Sequence, residues 1–263
     1  MSTLTSTVGD TWTLTKRALV RWQREPMTPI AGILFSFMFM LMFGFLFGGA
    51  MHVPGGGDYV DFVVPGILGM SMMFGLEATM LNVVQDKRAG LSDRFRAMPM
   101  SRSAILGGRA AADVLDSTLN LVALVGCGLL IGWRFEASPV HFVAAMALLL
   151  LLRASMIWVG IFLGVVINSP DATALVQILV FPLAFLSSVF VPPETMPGWL
   201  APIADWNPLS ATVAAVRELL ASPGTGADAW PVDNAIALAV AWPVALTVVF
   251  ALLSVRGYRK LGR

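Results

Sequence analysis

Charge is scarce in this chain. Asp, Glu, Lys and Arg make up 13% of its 263 residues and 57% are apolar, against the roughly 25% charged content of soluble domains. That composition excludes an ordinary water-soluble domain and points to a chain folded in lipid. The formal net charge is +1, and the cations fall in short patches beside apolar runs, not on one basic face, so a nucleic-acid partner is not expected. Cysteine is nearly absent too. Cys127 stands alone, which rules out an intrachain disulfide, and inside an apolar run it reads as a small buried hydrophobe. The two histidines, His52 and His141, lack thiols or carboxylates at ligand spacing, so no metal site is expected. None of the three lysines, Lys16, Lys87 and Lys260, lies in a GxxxxGK[ST] motif, so this chain does not hydrolyse ATP through a P-loop and needs no bound cofactor of its own. No nucleophile can be paired with a base, and the chain is not read as an enzyme.

What is abundant is long apolar sequence. A spanning helix needs about 20 mainly apolar residues, and six stretches qualify: approximately Ile30–Ala50, Phe62–Val84, Ala110–Ile131, Phe142–Val166, Ala172–Val191 and Asn234–Val255. They are apolar on all sides and too long for transmembrane strands, so the expected fold class is all-α, a polytopic membrane protein with six transmembrane helices. The first 29 residues lack a signal-peptide core, and the first span is expected to remain in the mature protein. The chain reads as one unit, with a cytoplasmic interfacial helix over residues 1–29, a membrane region over 30–255 and a cytoplasmic tail over 256–263.

Within residues 1–25, Val8, Trp12, Thr15, Leu19 and Trp22 share one helical face while Lys16, Arg17, Arg21 and Arg24 occupy others. This predicts an amphipathic helix lying on membrane lipids, ended by Glu25-Pro26 and Pro29. Fourteen of the seventeen Lys and Arg residues lie before the first span, between spans two and three, or after span six. Positive charge stays on the cytoplasmic side, so both termini and the connector Asp86–Arg109 are assigned there. Only Arg134 and Arg217 face the other side, and Arg153 lies inside span four.

Charge inside a span persists only with partners or water. Glu77, Asp116, Asn120 and Arg153 are therefore expected to form an intramembrane polar cluster, either lining a translocation pathway or pairing structurally. Asp113, Asp116 and Asn120 share one helical face that must look inward, where Arg153 could meet it or Glu77. Asp113, near the interface, could instead be solvated. Gly44 and Gly48, Gly128 and Gly132, and Gly160 and Gly164 have the GxxxG spacing that lets backbones approach closely, between subunits or within one. The run FSFMFMLMFGFLF in span one is either a pliable ligand wall or lipid-facing filler.

The connector carries six of the cations together with Gly90, a Met98-Pro99 break and Ser101, a suitable cap for a new helix. It reads as folded. The segment after span five is too apolar for a plain loop: Met196-Pro197 and Asn207-Pro208 punctuate it, Trp199 and Trp206 suit an interface, and Leu209–Leu220 has helical character with Ser210 near its start. Short helices lying in or dipping into the outer leaflet are expected.

These segments resemble the permease subunit of bacterial ABC-2 type transporters, in particular the daunorubicin/doxorubicin-resistance-type drug exporters. The resemblance is carried by QDKRAGLSDRFRAMPMSRSAILGGR, by VPPETMPGWLAPIADWNPLSATVAAVREL, and by the basic helix ending REP. The connector departs from the commonest family form, which has acidic residues before the glycine and Thr before the proline, where Gln85, Asp86 and Met98 stand. DRFR followed by MPMSR matches the drug-resistance branch. The resemblance implies a membrane channel formed with a second permease subunit, identical or not, and driven by a separate P-loop ABC ATPase that binds ATP and Mg. It implies a multi-pass protein of the bacterial plasma membrane that exports hydrophobic or amphipathic compounds. The alternatives are a lipid or glycan exporter subunit and a non-transporting scaffold. It also assigns ATPase coupling to Leu91, Ser92, Asp93, Arg94, Phe95, Arg96, Met98 and Pro99, with Leu91, Phe95 and Met98 suited to an apolar groove and the charged residues to setting register. Met196, Pro197, Trp199, Trp206, Asn207, Pro208 and Arg217 would form the outer-leaflet cap.

Overall fold

A computed structural model of the chain describes residues 27–48, 56–88, 102–167, 170–224 and 229–260. The expected interfacial helix over residues 1–25 and the coupling residues Leu91 to Pro99 lie outside the described residues. All regular structure among the described residues is helical. The elements are α1 (Met27–Leu41), continued by a π-helical segment (Met42–Phe47), α2 (Tyr59–Arg88), α3 (Arg102–Leu130), α4 (Pro139–Val166), α5 (Pro170–Phe185), a 3-10 turn (Pro193–Thr195), α6 (Ala201–Asp205), α7 (Pro208–Leu219), α8 (Trp230–Asp233) and α9 (Ala235–Lys260).

Four of these, α2, α3, α4 and α9, are long and apolar enough to cross a membrane, and two shorter apolar helices, Ile30–Leu46 and Thr173–Phe185, stand where the first and fifth stretches were expected. The ends have local causes. Ser138 caps α4 by accepting the His141 N–H at 3.3 Å, with Pro139 in the first turn. The α3 helix closes on Gly132 at φ +104°, and Trp133 N–H reaches back to the Gly128 carbonyl at 3.0 Å, the αL closure that glycine permits. α7 is capped by Asn207, whose side chain accepts the Leu209 N–H at 2.9 Å. Ser210 lies inside this helix, one turn past the cap, and its hydroxyl accepts the Ser188 N–H at 2.9 Å.

α4 is the centre of the bundle, packed on α2, α9, α7 and α3. The glycines explain how closely. A Cβ on Gly160 would lie 2.7 Å from the Leu76 carbonyl oxygen, and one on Gly164 would lie 2.6 Å from Val83 Cβ, so α2 and α4 run parallel with backbones nearly touching. Gly128 gives room to Trp133 and Val64, and Gly44 meets Val60. All of these approaches are within the chain. The large apolar core joins α2, α3, α4, the end of α5, α7 and the start of α9, and a small second cluster of Val83, Ile157, Ile161 and Val165 sits toward the Lys87 end of α2.

Candidate functional site

Midway along α4, Arg153 is only 4% exposed, and three helices supply its surroundings. Its Nε donates to Ser117 Oγ of α3 at 2.6 Å and its Nη2 to Thr79 Oγ1 of α2 at 3.1 Å. Thr79 in turn donates to Asp113 Oδ2 at 2.9 Å, and Ser117 donates to the Asp113 carbonyl at 2.7 Å. Thr79 thus links the cation to the Asp113 carboxylate and Ser117 links it to the Asp113 backbone, so a counter-charge lies one hydroxyl away, while the guanidinium Nη1 is buried without a hydrogen-bond partner. Gly75 makes the space, since a Cβ there would lie 2.5 Å from the guanidinium Cζ. Of the four expected cluster residues, Arg153 lies at the centre, and Asp116 as well as Asp113 of α3 is near enough to attract its charge. Glu77 is half-buried, Asp116 is exposed, and Asn120 is half-buried with an Oδ1 that has no hydrogen-bond partner. Thr79 and Ser117 were missed by a search for charges. Ser117 falls one turn after Asp113, so helical spacing from the carboxylates could have found it.

The second node lies at the Tyr59 end of the bundle. Arg217, on the last turn of α7, is 1% exposed. Its Nε and Nη2 donate to the Phe62 carbonyl at 3.0 and 2.8 Å, Nη2 also to the Val189 carbonyl at 3.0 Å, and Nη1 to the Ser188 carbonyl at 2.9 Å. The guanidinium also stacks over the Phe62 ring, 3.7 Å from its centroid. One fork therefore ties α7 to the first turns of α2, which Pro65 loosens, and to the turn after α5. Tyr59 adds a hydroxyl bond to the Phe190 carbonyl at 3.1 Å.

Around this node α7 is an interior helix. A Cβ at Gly69, ten residues into α2 and so roughly 15 Å along it, would strike Val213 and Leu209 of α7. Asn207 Nδ2 donates to the Leu183 and Leu186 carbonyls at 2.9 and 2.7 Å, satisfying acceptors that the end of α5 leaves open. Met196-Pro197 leads into α6, with the Pro197 carbonyl accepting the Leu200 N–H at 2.7 Å. Trp199, Trp206 and Trp230 are exposed, and the last two stack with centroids 5.7 Å apart, as tryptophans do at a lipid–water boundary.

Seven phenyl rings form a continuous ladder from α1 to α2. Phe35, Phe39 and Phe43 stack along α1, Phe43 meets Phe190 at 4.1 Å, and Phe185, Phe181 and Phe74 follow at 4.9, 4.8 and 5.8 Å. Phe35, Phe181 and Phe185 keep large exposed areas. Among the described residues no cluster of His, Cys, Asp and Glu could hold a metal ion.

The long apolar helices, the buried arginines hydrogen-bonded from neighbouring segments and the interior α7 define a polytopic helical membrane protein. Its family follows from comparison: residues 9–221 match the ABC-2 type transporter family, and the chain belongs to it. It is 35% identical over 253 residues to a daunorubicin resistance ABC transporter permease protein, DrrB1, of Streptomyces coeruleorubidus, covering 96% of this chain and 87% of that one. Identity is 24% over 269 residues to a probable doxorubicin resistance permease, DrrC, of Mycobacterium tuberculosis, covering 96% and 89%. A putative transport permease, ycf38, of Cyanophora paradoxa is 28% identical over 218 residues, covering 81% and 74%. The chain is accordingly a multi-pass permease, the membrane component of a transporter and not its ATP-hydrolysing subunit.

Proposed function

We propose that this permease exports hydrophobic or amphipathic compounds outward across the bacterial plasma membrane as one of two permease subunits, driven by a separate P-loop ATPase that binds ATP and Mg. Six helices cross the membrane in this reading, with both termini and the Asp86–Arg109 connector cytoplasmic, and the ATPase docks on Leu91 to Pro99. The observation that carries it is the near full-length similarity to a permease named for daunorubicin resistance. Two features of the chain support the cargo class. The phenyl ladder offers planar apolar surface with exposed edges, on which flat ring systems stack favourably. Exposed Met38 and Met42 beside it are adaptable in shape. ATP binding would draw the ATPase subunits together and move the connectors, so that a site between permease halves changes exposure.

The test is co-expression with the P-loop ATPase encoded nearest to it, followed by purification and by daunorubicin uptake into inside-out vesicles. ATPase retention and uptake that needs ATP and Mg are expected. Failure of any P-loop subunit to copurify would return the scaffold reading. Retention without daunorubicin uptake, but with ATP-driven movement of a fluorescent lipid, would move the cargo to the lipid class.

A further inference from the structure

Core packing is uneven along the bundle. The small cluster of Val83, Ile157, Ile161 and Val165 is the apolar core found at the Lys87 end of α2, and the ties that reinforce it there are polar. Two consecutive residues at the close of α2 make them. Asp86 ion-pairs with Arg109 of α3. Lys87 Nζ donates to the carbonyls of Gly164, Val165 and Ile167 at 3.2, 2.8 and 2.9 Å. Those oxygens belong to the C-terminal turn of α4, where helical acceptors lack partners and the dipole favours a cation. Neighbouring positions of one helix end thus hold the start of α3 and the end of α4.

Asp86 and Arg109 also bracket the connector. Along the chain, a displacement of Leu91 to Pro99 reaches the bundle through the end of α2 and the beginning of α3. Unclasped helix ends with few apolar contacts open locally and independently, and a displacement delivered to them would be absorbed by fraying. We propose that Asp86, Lys87 and Arg109 form the joint that turns movement of the connector into a concerted shift of α2, α3 and α4; this rests on the exporter reading above. The ion pair itself is 21% and 39% exposed, and exposed pairs add little to folding stability. Its loss therefore weakens coupling while the protein still folds.

The variants are Asp86→Asn, Arg109→Gln, the exchange Asp86→Arg with Arg109→Asp, Lys87→Met and Lys87→Arg, each in the permease–ATPase complex. Three quantities are read: ATPase retained on purification, ATP hydrolysis, and daunorubicin taken up by inside-out vesicles per ATP. Asp86→Asn, Arg109→Gln and Lys87→Met keep the ATPase and its hydrolysis but lose about fivefold or more of uptake per ATP, the lower end of measurable site-to-site coupling. The exchange and Lys87→Arg return to within about twofold of wild type. Wild-type uptake per ATP in the single variants, or an exchange no better than Asp86→Asn and Arg109→Gln, overturns the joint alone. If the wild-type chain retains no ATPase and pumps nothing, the exporter reading fails and the joint falls with it.

Discussion

Replacing Arg217 with Met keeps most of the side chain's volume while removing every donor. Three buried carbonyls, those of Phe62, Ser188 and Val189, then lose their bonds to the guanidinium. Each unsatisfied buried acceptor costs about 1–3 kcal/mol, and the lost stacking over Phe62 adds about 0.5–2 kcal/mol. Against this, the variant no longer buries a cation, and that relief is several kcal/mol. No counter-charge is left behind, because the partners are neutral carbonyls, so the lost bonds and stacking minus that relief leave Arg217→Met with a net cost of about 3 kcal/mol. Arg217→Lys keeps the charge but not the fork, so it cannot hold carbonyls from α2 and the α5–α7 connection at once; it should lose about half as much. Unfolding of the purified permease in mixed micelles, followed by tryptophan fluorescence, measures both. A Met variant within about 1 kcal/mol of wild type, or a Lys variant as damaged as the Met one, would refute the clamp.

Gly75→Ala brings a Cβ to 2.5 Å from the Arg153 guanidinium and should cost about 1–3 kcal/mol, part of it recovered when Arg153→Gln is added. Arg153→Met leaves Asp113 uncompensated and should cost about 3–5 kcal/mol in the same unfolding assay; if Asp113→Asn does not restore part of that loss, the relay through Thr79 does not carry the charge. Gly164→Leu drives side-chain atoms into Val83 and the Met80 carbonyl and should prevent a stable fold, whereas Gly126→Leu, at an exposed position where a Cβ meets nothing within 4 Å, should be tolerated. Burial raises the Asp205 carboxyl above its usual range, so the folded state holds that proton at pH values where the unfolded state has released it. Stability from this group is present below the unfolded pKa and is lost as pH rises through the folded one. Asp205→Asn should therefore remove the part of the acid-side gain that comes from this residue, read as the difference between the two stability–pH curves.

Long apolar runs and Pro or Gly punctuation were enough to place the four long helices and the two shorter apolar ones, because burial in lipid demands both an apolar surface and a helical backbone. Ends were less legible. The helical stretch Leu209–Leu220 matches α7 to within a residue, yet Asn207 and Ser210 are both good capping residues and only the backbone selects between them: Asn207 is extended, while Ser210 faces the turn after α5. The charged residues in spans could be listed from sequence, yet their partners could not. Two of the Arg153 nitrogens donate to Thr79 and Ser117, and hydroxyls in apolar helices ordinarily bond their own backbone, as Ser71, Thr118 and Ser117 itself do here. The i, i+4 spacing to Asp113 marks Ser117, but nothing local marks Thr79 as a hydroxyl that reaches across.

The two buried arginines bear on where cargo would travel. A lining group has to exchange protein partners for cargo or water during each cycle. Arg217 is held by three carbonyls from two segments and an aromatic face, and Arg153 is shared among three helices through hydroxyls that also engage Asp113. Releasing either would leave several buried polar groups unsatisfied together, a cost cargo contacts would have to repay in full. That argues for fixed nodes, around which helices pivot. The surfaces that can change occupants without such a cost are the apolar ones, and the phenyl ladder is the longest of these described: stacking on exposed Phe35, Phe181 and Phe185 can pass from lipid to a flat ring system without orphaning a hydrogen bond. In this arrangement the polar nodes keep the helices in register while aromatic surface makes the transient contacts.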